Sequence, residues 1–525
     1  MFDYVIIGAG SAGCVLANRL TEDASVKVLL LEAGSPDKKQ EIHIPAAFNK
    51  LFKTACDWGY ETEPQQHLNN RRVFWPRGKV LGGSSSINAM IYSRANRHDH
   101  NRWRELGIEG WSYDDILPYY KKSEHNERWS NEYHGQQGEL NIADLRCINP
   151  LTHKFVEAAQ QAGIPLNQDF NGAEQEGVGY FQVTQKEGKR HSAAAAFLKP
   201  ALPRANLTVK TGAHVTRLLF DKHKAGGVEF IQNGKTEQVR AEREIILSGG
   251  AINSPQILML SGIGPADHLR EMNIPVIADL PGVGQNLQDH PLIGVEYQCN
   301  QPISLYKADN LKNILNYLIF KKGPLTSNVA EAGAFIKTQS GLDAPDIELI
   351  FAPTFYMESG LKNPELHGFS IGIVLQHPES RGEIRLRSND PFAAPAIQPN
   401  YFAAESDMVT TVEGVKVARQ IFSQKIFDQF RGKEWWPGEE ARDDQDLAEH
   451  VRQTSETLYH PIGTCRIGTD KMAVVDGSLK VHGLDGLRVV DAAIIPFEAT
   501  GHPNAPLLAY AEKAAELIKS AGSAR

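Results

Sequence analysis

The chain opens on a strand, a glycine turn and a helix in the order that cradles a dinucleotide. Tyr4 to Ile7 is an apolar run of strand length, and Gly8, Gly10 and Gly13 follow in G-x-G-x-x-G spacing. The spacing permits a tight turn and a close approach of backbone to a pyrophosphate, and lets the next helix pack on the strand. Ser11 to Leu20 carries the apolar face of that helix. Its first turn, with Ser11 and Ala12, offers unpaired N–H groups and the positive end of the macrodipole to an anion. A second strand, Lys27 to Leu31, ends in Glu32 and Ala33, about 20 residues past the glycines. An acid there accepts hydrogen bonds from an adenosine ribose and disfavours a 2′-phosphate. A bare glycine motif is weak evidence, but the full order of strand, glycines, helix, strand and acid is specific.

At 525 residues the length suggests two to three domains. The net charge of −8 comes from interspersed acids and bases, so no basic stripe points to nucleic acid and no polybasic cluster points to an anionic membrane. The chain begins directly on its first strand and holds no apolar run of about 18 residues. Neither a signal peptide nor a transmembrane segment is expected, and the reading is a cytoplasmic protein with room for peripheral contact at the inner membrane. Cys14, Cys56, Cys147, Cys299 and Cys465 are scattered, with no C-x-x-C pair, which fits free thiols in a reducing compartment and predicts no metal site.

The pattern predicts an α/β protein, α+β overall: a Rossmann-like nucleotide-binding domain with a second domain of β-sheet and helix. Leu207 to Lys210, Val215 to Phe220, Gly227 to Phe230 and Gln238 to Ala241 read as an antiparallel ribbon, and Glu244 to Ser248 as a buried strand entering Gly249-Gly250. From Pro302 onward the character changes, with strands at Ile347 to Phe351 and Phe369 to Leu375 and a helix at Glu405 to Ile421. Leu487 to Asp491 then reads as another buried strand and Pro506 to Ile518 as a closing helix. The nucleotide domain is therefore expected to be discontinuous, over residues 1–301 and 456–525, with the substrate domain at 302–455.

Two further stretches carry chemistry. Arg77-Gly78-Lys79-Val80-Leu81-Gly82-Gly83-Ser84-Ser85-Ser86-Ile87-Asn88 sets paired glycines before three serines and an amide, a composition suited to a phosphate-rich or heterocyclic ligand and also to a plain turn. Gly250 to Pro265 reads as strand, turn and helix, with Ser254 as cap, Pro255 at the first helical position and Gly262 as stop.

Along these two stretches, the glycine motif and the C-terminal region, the chain resembles the glucose-methanol-choline (GMC) oxidoreductases. It is most similar to the branch of bacterial choline and alkanol dehydrogenases, through Phe74 to Lys79, Pro281 to His290 and Tyr459 to Arg466. The resemblance implies FAD as cofactor, held noncovalently, because Ile87 stands where choline oxidases carry the histidine that bonds the flavin. It implies FAD contacts from Gly82, Gly83 and Asn88, from Val215 near the adenine, and from Asp491 and Ala492; Asp491 also suits a strand-end turn. It further implies that His460 and His502 are the catalytic pair, His502 departing from the asparagine of choline-type relatives.

The implied reaction oxidises a primary alcohol to an aldehyde, with hydride passing to the flavin and electrons onward to a quinone or other carrier. Histidine suits the base, being neutral near physiological pH. His460 is read as the base and His502 as the group that holds the substrate oxygen, while Asn504-Ala505-Pro506 opens a helix whose dipole favours negative charge. Glu331, Phe355, Tyr356, Trp435 and Trp436 are candidates for a cation-binding cage. The alternatives are an oxidase that passes electrons to oxygen and releases peroxide, a redox-silent lyase of the same fold, a noncatalytic flavoprotein and a nicotinamide-linked dehydrogenase.

Overall fold

Strands that run apolar without alternation are buried on both faces, and Phe2–Ile7 is one: Val5 and Ile6 have no exposure. In the computed structural model, which describes residues 1–523, this strand lies mid-sheet. It pairs in parallel with Val28–Glu32 on one side and with the end of Lys235–Leu247 on the other. Leu207–Thr211 and Leu487–Val489 extend the parallel order outward. Helices that position the site are α1 (Ser11–Leu20), α2 (Gly250–Leu260), α3 (Leu311–Phe320), α4 (Glu405–Phe422) and α5 (Asn504–Ser523). All ten residues of α1 are buried, and α1 packs on α5. There the Arg19 guanidinium forks onto Glu512 (Nε to Oε2 2.8 Å, Nη2 to Oε1 2.6 Å), so the two ends of the chain share one core.

The antiparallel ribbon consists of Ala213–Asp221, Lys224–Gln232 and the first half of Lys235–Leu247. Leu207 to Lys210, expected in that ribbon, instead lies parallel beside Val28–Glu32. The cause is Gly212 (φ 65°), whose N–H donates to the Gly34 carbonyl (2.8 Å) and turns the chain out of the parallel sheet before the ribbon begins.

The helix start expected at Ser254-Pro255 is also corrected. α2 begins at Gly250 (φ 86°), and Pro255 lies inside it. Proline cannot donate to the carbonyl four residues back, but that carbonyl, of Ala251, accepts from Thr464 Oγ1 at 2.6 Å. Ser254 Oγ meets Asp491 Oδ2 at 2.5 Å and accepts from the Gly249 N–H, so it ties helix to sheet and does not cap.

The second sheet is antiparallel, in the order Arg431–Trp436, Pro291–Cys299, Gly368–Leu375, Ile347–Ala352, Ala332–Ile336 and Gly177–Tyr180. Gly177–Tyr180 and Pro291–Cys299 come from within 1–301, so that boundary does not separate the sheets. α4 covers one face, and Gly414 brings it close: a Cβ there would stand 2.6 Å from Ile373 Cγ2.

Candidate active site

Two cavities meet between the sheets and share Ser11, Arg77, Ser84, Pro461, Ala492 and Leu507. The first, ≈ 150 Å³, is floored by the glycine turn and lined by Gly8, Gly10, Ser11 and Ala12, by Glu32 and Ala33, and by Gly83, Val215, Asp491 and Ala492. Gly13 and Gly82 pack behind this wall. A Cβ on Gly13 would stand 1.9 Å from the Gly8 carbonyl oxygen, so only glycine lets α1 approach the turn.

Several features fit this cavity to a dinucleotide. α1 starts at Gly10 with no side-chain cap, leaving its first N–H groups for an anion. Ser248 Oγ, on the cavity wall, is buried without a partner. The Ala9 and Gly34 N–H groups each donate to Glu32 at 2.8 Å, one per carboxylate oxygen, which fixes the side chain against the wall; burial pushes its pKa up to about 7. Asp491 is spent on the protein, accepting from Gly250 N (2.8 Å) and Ala493 N (2.8 Å) as well as from Ser254.

The second cavity, ≈ 200 Å³, is lined mostly by apolar side chains, among them Phe48, Phe52, Ile87, Leu292 and Ile350. His460, His502, Asn88 and Asn504 face it at one end. Ser11 Oγ donates to Asn504 Oδ1 (2.7 Å), so the starts of α1 and α5 adjoin where the cavities join. Asn88 Oδ1 accepts from Arg190 Nη1 (2.7 Å) and the Met90 N–H (3.1 Å).

The two imidazoles stand edge to face, 4.9 Å between centroids. Each is held by a residue that sequence reasoning left without a role. His290 Nε2 lies 2.9 Å from the Gln376 carbonyl, which can only accept, so that nitrogen carries hydrogen. His290 is buried and its pKa falls to about 3, so the ring is neutral and its Nδ1 is an acceptor. His460 Nδ1, 3.0 Å away, must therefore be the donor. The assignment leaves a lone pair on His460 Nε2, which meets no partner among the described residues. Burial, then the neighbouring His502 and His290, hold the His460 pKa well below the usual imidazole value.

The backbone of His460 is fixed as well. Its N–H donates to Asp289 Oδ1 (2.7 Å), and the preceding Tyr459 adopts left-handed φ (69°), its carbonyl accepting from Arg77 Nη1 (2.5 Å). His502 Nε2 lies 3.0 Å from the fully buried carboxylate of Glu348. Glu348 left a signal in the sequence, a carboxylate inside the apolar run Ile347 to Phe351, since a buried acid needs a partner. His290 left none, because its partner lies 170 residues away.

Of the cage candidates, Tyr356 and Trp436 line the cavity. Phe355 and Trp435 are not on its wall and pack on each other. Glu331 accepts from Asn149 N (2.8 Å), Thr152 Oγ1 and Ser327 Oγ (both 2.6 Å), and so secures a helix start. The carboxyls that do line the cavity are Glu296 and Glu456. Burial raises Glu296 to about 8 and Glu456 to about 7, and Glu296 Oε2 has no partner. Among the described residues no group of side chains has the arrangement of a metal site.

Family models described as GMC oxidoreductase match residues 2–292 and 378–511. The chain is 46% identical to an alcohol dehydrogenase [acceptor] of Pseudomonas putida, covering 99% of this chain and 96% of that protein. It is 44% identical to an oxygen-dependent choline dehydrogenase of Sinorhizobium medicae, covering 98% and 95%. Among solved structures it superposes on pyridoxine 4-oxidase from Mesorbium loti with a TM-score of 0.92 at 32% identity, covering 99% of both chains.

Proposed function

Because the chain belongs to the GMC oxidoreductase family, we propose that it oxidises a primary alcohol to an aldehyde at the end of the cavity where His460 and His502 meet. FAD is the cofactor, and when bound it supplies the acceptor for the hydride that leaves the alcohol carbon. Ile87, where choline oxidases carry the histidine that bonds the flavin, lies on the cavity wall and has no nucleophile to offer, which supports noncovalent binding of the cofactor. The residues that would hold it are those of the glycine-turn cavity, with Asn88 and Asn504 at the junction.

The single observation that carries the mechanism is the order of hydrogen bonds from the Gln376 carbonyl through His290 to His460, which leaves His460 Nε2 unprotonated. That nitrogen takes the hydroxyl proton as hydride leaves the carbon. His502, oriented by Glu348, hydrogen-bonds the alcohol oxygen and holds it in place. The start of α5 opens on the same space, and its dipole favours negative charge there.

The apolar lining favours an aliphatic or aryl chain over a sugar. The likeness to an alcohol dehydrogenase named for an acceptor supports transfer of electrons to a quinone or similar carrier. Replacing His460 with Ala is expected to slow anaerobic flavin reduction by about 100- to 10,000-fold, or 3–5 kcal/mol, with FAD still bound. A rate near that of the unmodified protein removes His460 as base. Dye-linked turnover that exceeds peroxide formation supports the carrier, and the reverse establishes an oxidase.

A further inference from the structure

Exposed apolar surface is concentrated on one helix. On α3, Leu311, Leu315, Leu318, Ile319 and Phe320 are 71, 47, 54, 66 and 62% exposed. Tyr317 alone on this helix is buried, and its hydroxyl donates to the His43 carbonyl at 3.1 Å. Contiguous apolar surface of this kind carries a standing cost in water and marks a contact site.

The charges around α3 say what covers it. Lys307 and Lys312 stand at one end, Lys321 and Lys322 at the other. The one acid between residues 307 and 322, Asp309, is already paired with Lys50 (3.2 Å). Four lysines against one aspartate give this strip +3 in a chain of −8. An apolar face with a basic rim is complementary to an anionic bilayer: Leu311, Leu315, Leu318 and Ile319, which share one face of the helix, enter the acyl boundary, and Lys307, Lys312 and Lys322 reach back to the headgroups, while Lys321 Nζ donates to the Tyr317 and Leu318 carbonyls. A second copy would be a poor occupant, because a two-fold contact on this face sets the same lysines against one another.

The helix is also close to the cavity that holds the histidines. The turn that follows it, Pro324–Thr326, packs on the turn Pro45–Leu51, which contributes Phe48 to the cavity wall. Asn49 Nδ2 donates to the Gly360 carbonyl (2.9 Å), in the loop that carries Leu361, itself 44% exposed.

We infer that α3 docks the protein on an anionic lipid surface, lying in the interfacial plane with its lysines at the headgroups. The inference stands apart from the alcohol chemistry, since it needs only the exposure and charge of this helix. The docked molecule faces the bilayer with the side that bears the Phe48 wall, where an apolar alcohol or a lipid-soluble acceptor is concentrated.

The test is co-sedimentation of the flavin-loaded full chain with vesicles of equal parts phosphatidylglycerol and phosphatidylethanolamine, beside pure phosphatidylcholine. The protein is expected to pellet with the anionic vesicles and to be released by high salt. The double substitution Leu318→Asp with Ile319→Asp should lower the bound fraction at least tenfold. Lys312→Glu with Lys322→Glu should lower it at least about thirtyfold, as the loss of two cations alone requires. All of these side chains are exposed, so thermal midpoint and dye-linked turnover of a short soluble alcohol should not change. The inference is overturned if the protein ignores anionic vesicles, if either double variant binds as the original does, or if the chain self-associates and Leu318→Asp abolishes that association instead. Loss of turnover in the unmodified protein would count against the alcohol reading alone.

Discussion

His290 does not line the cavity, yet the bonding order makes it the residue that decides which nitrogen of His460 is basic. Replacing it with Leu removes the acceptor from a buried His460 Nδ1–H. An orphaned buried donor costs about 1–3 kcal/mol, and His460 escapes the cost by moving its hydrogen to Nε2 or by turning. Either escape removes the base from most molecules, so anaerobic flavin reduction at saturating alcohol should slow by about 5- to 150-fold. That is less than the loss in His460→Ala, because a fraction of the rings stays competent. His290→Asn sets an amide oxygen near the former Nδ1 and should recover most of the rate, whereas His290→Gln, which imitates Nε2, should not. Stopped-flow reduction of the flavin reads all three, and alcohol affinity measured by titration should barely change. The reasoning is refuted if His290→Leu reduces flavin at the original rate, or if Asn and Leu are equally slow.

Three further outcomes are expected. Burial keeps the folded His460 pKa well below 6.5, and the base works only when neutral; flavin reduction should therefore hold its rate as pH falls through 6.5 and decline only below it. A decline centred at 6.5 or above, measured by stopped flow, contradicts this. Glu296 has a folded pKa of about 8 against an ordinary 4.5, so the folded state binds the extra proton and loses stability as pH rises from 4.5 through 8. Glu296→Gln should thus raise the unfolding free energy by a few kcal/mol, on the order of 5 at most, at pH 9 and by little at pH 4, as denaturant titration would show. In Gly13→Ala the new methyl meets the Gly8 carbonyl 1.9 Å away and forces α1 off the turn. Flavin content after purification should fall severely, at a cost of about 1–3 kcal/mol or more, and a fully yellow variant would show that the turn has slack.

How much of this was legible depends on how far apart the interacting groups lie in the chain. The glycine turn, its strands and Glu32 are local, and twelve of the fourteen residues expected at the cofactor line the two cavities. The helix start at Ser254-Pro255 was misread because Thr464, which satisfies the carbonyl that proline frees, lies 213 residues away. The same distance hid the cage: Tyr356 and Trp436 reach the cavity, while the acid expected beside them, Glu331, is consumed at Asn149.

The sequence by itself determined the class of cofactor and the pair of histidines, because glycine spacing, strand length and motif identity are properties of neighbouring residues. Only the tertiary structure decided which nitrogen of His460 holds its lone pair, since a tautomer is set by the partner across the bond, and His290 and Gln376 arrive from separate strands' ends. It also decided the status of α3: packing buries only Tyr317 of this helix and leaves Leu311, Leu315, Leu318, Ile319 and Phe320 outside, beside the lysines at its two ends. Burial and protonation are relations between distant parts of a chain, and they exist only once it is folded.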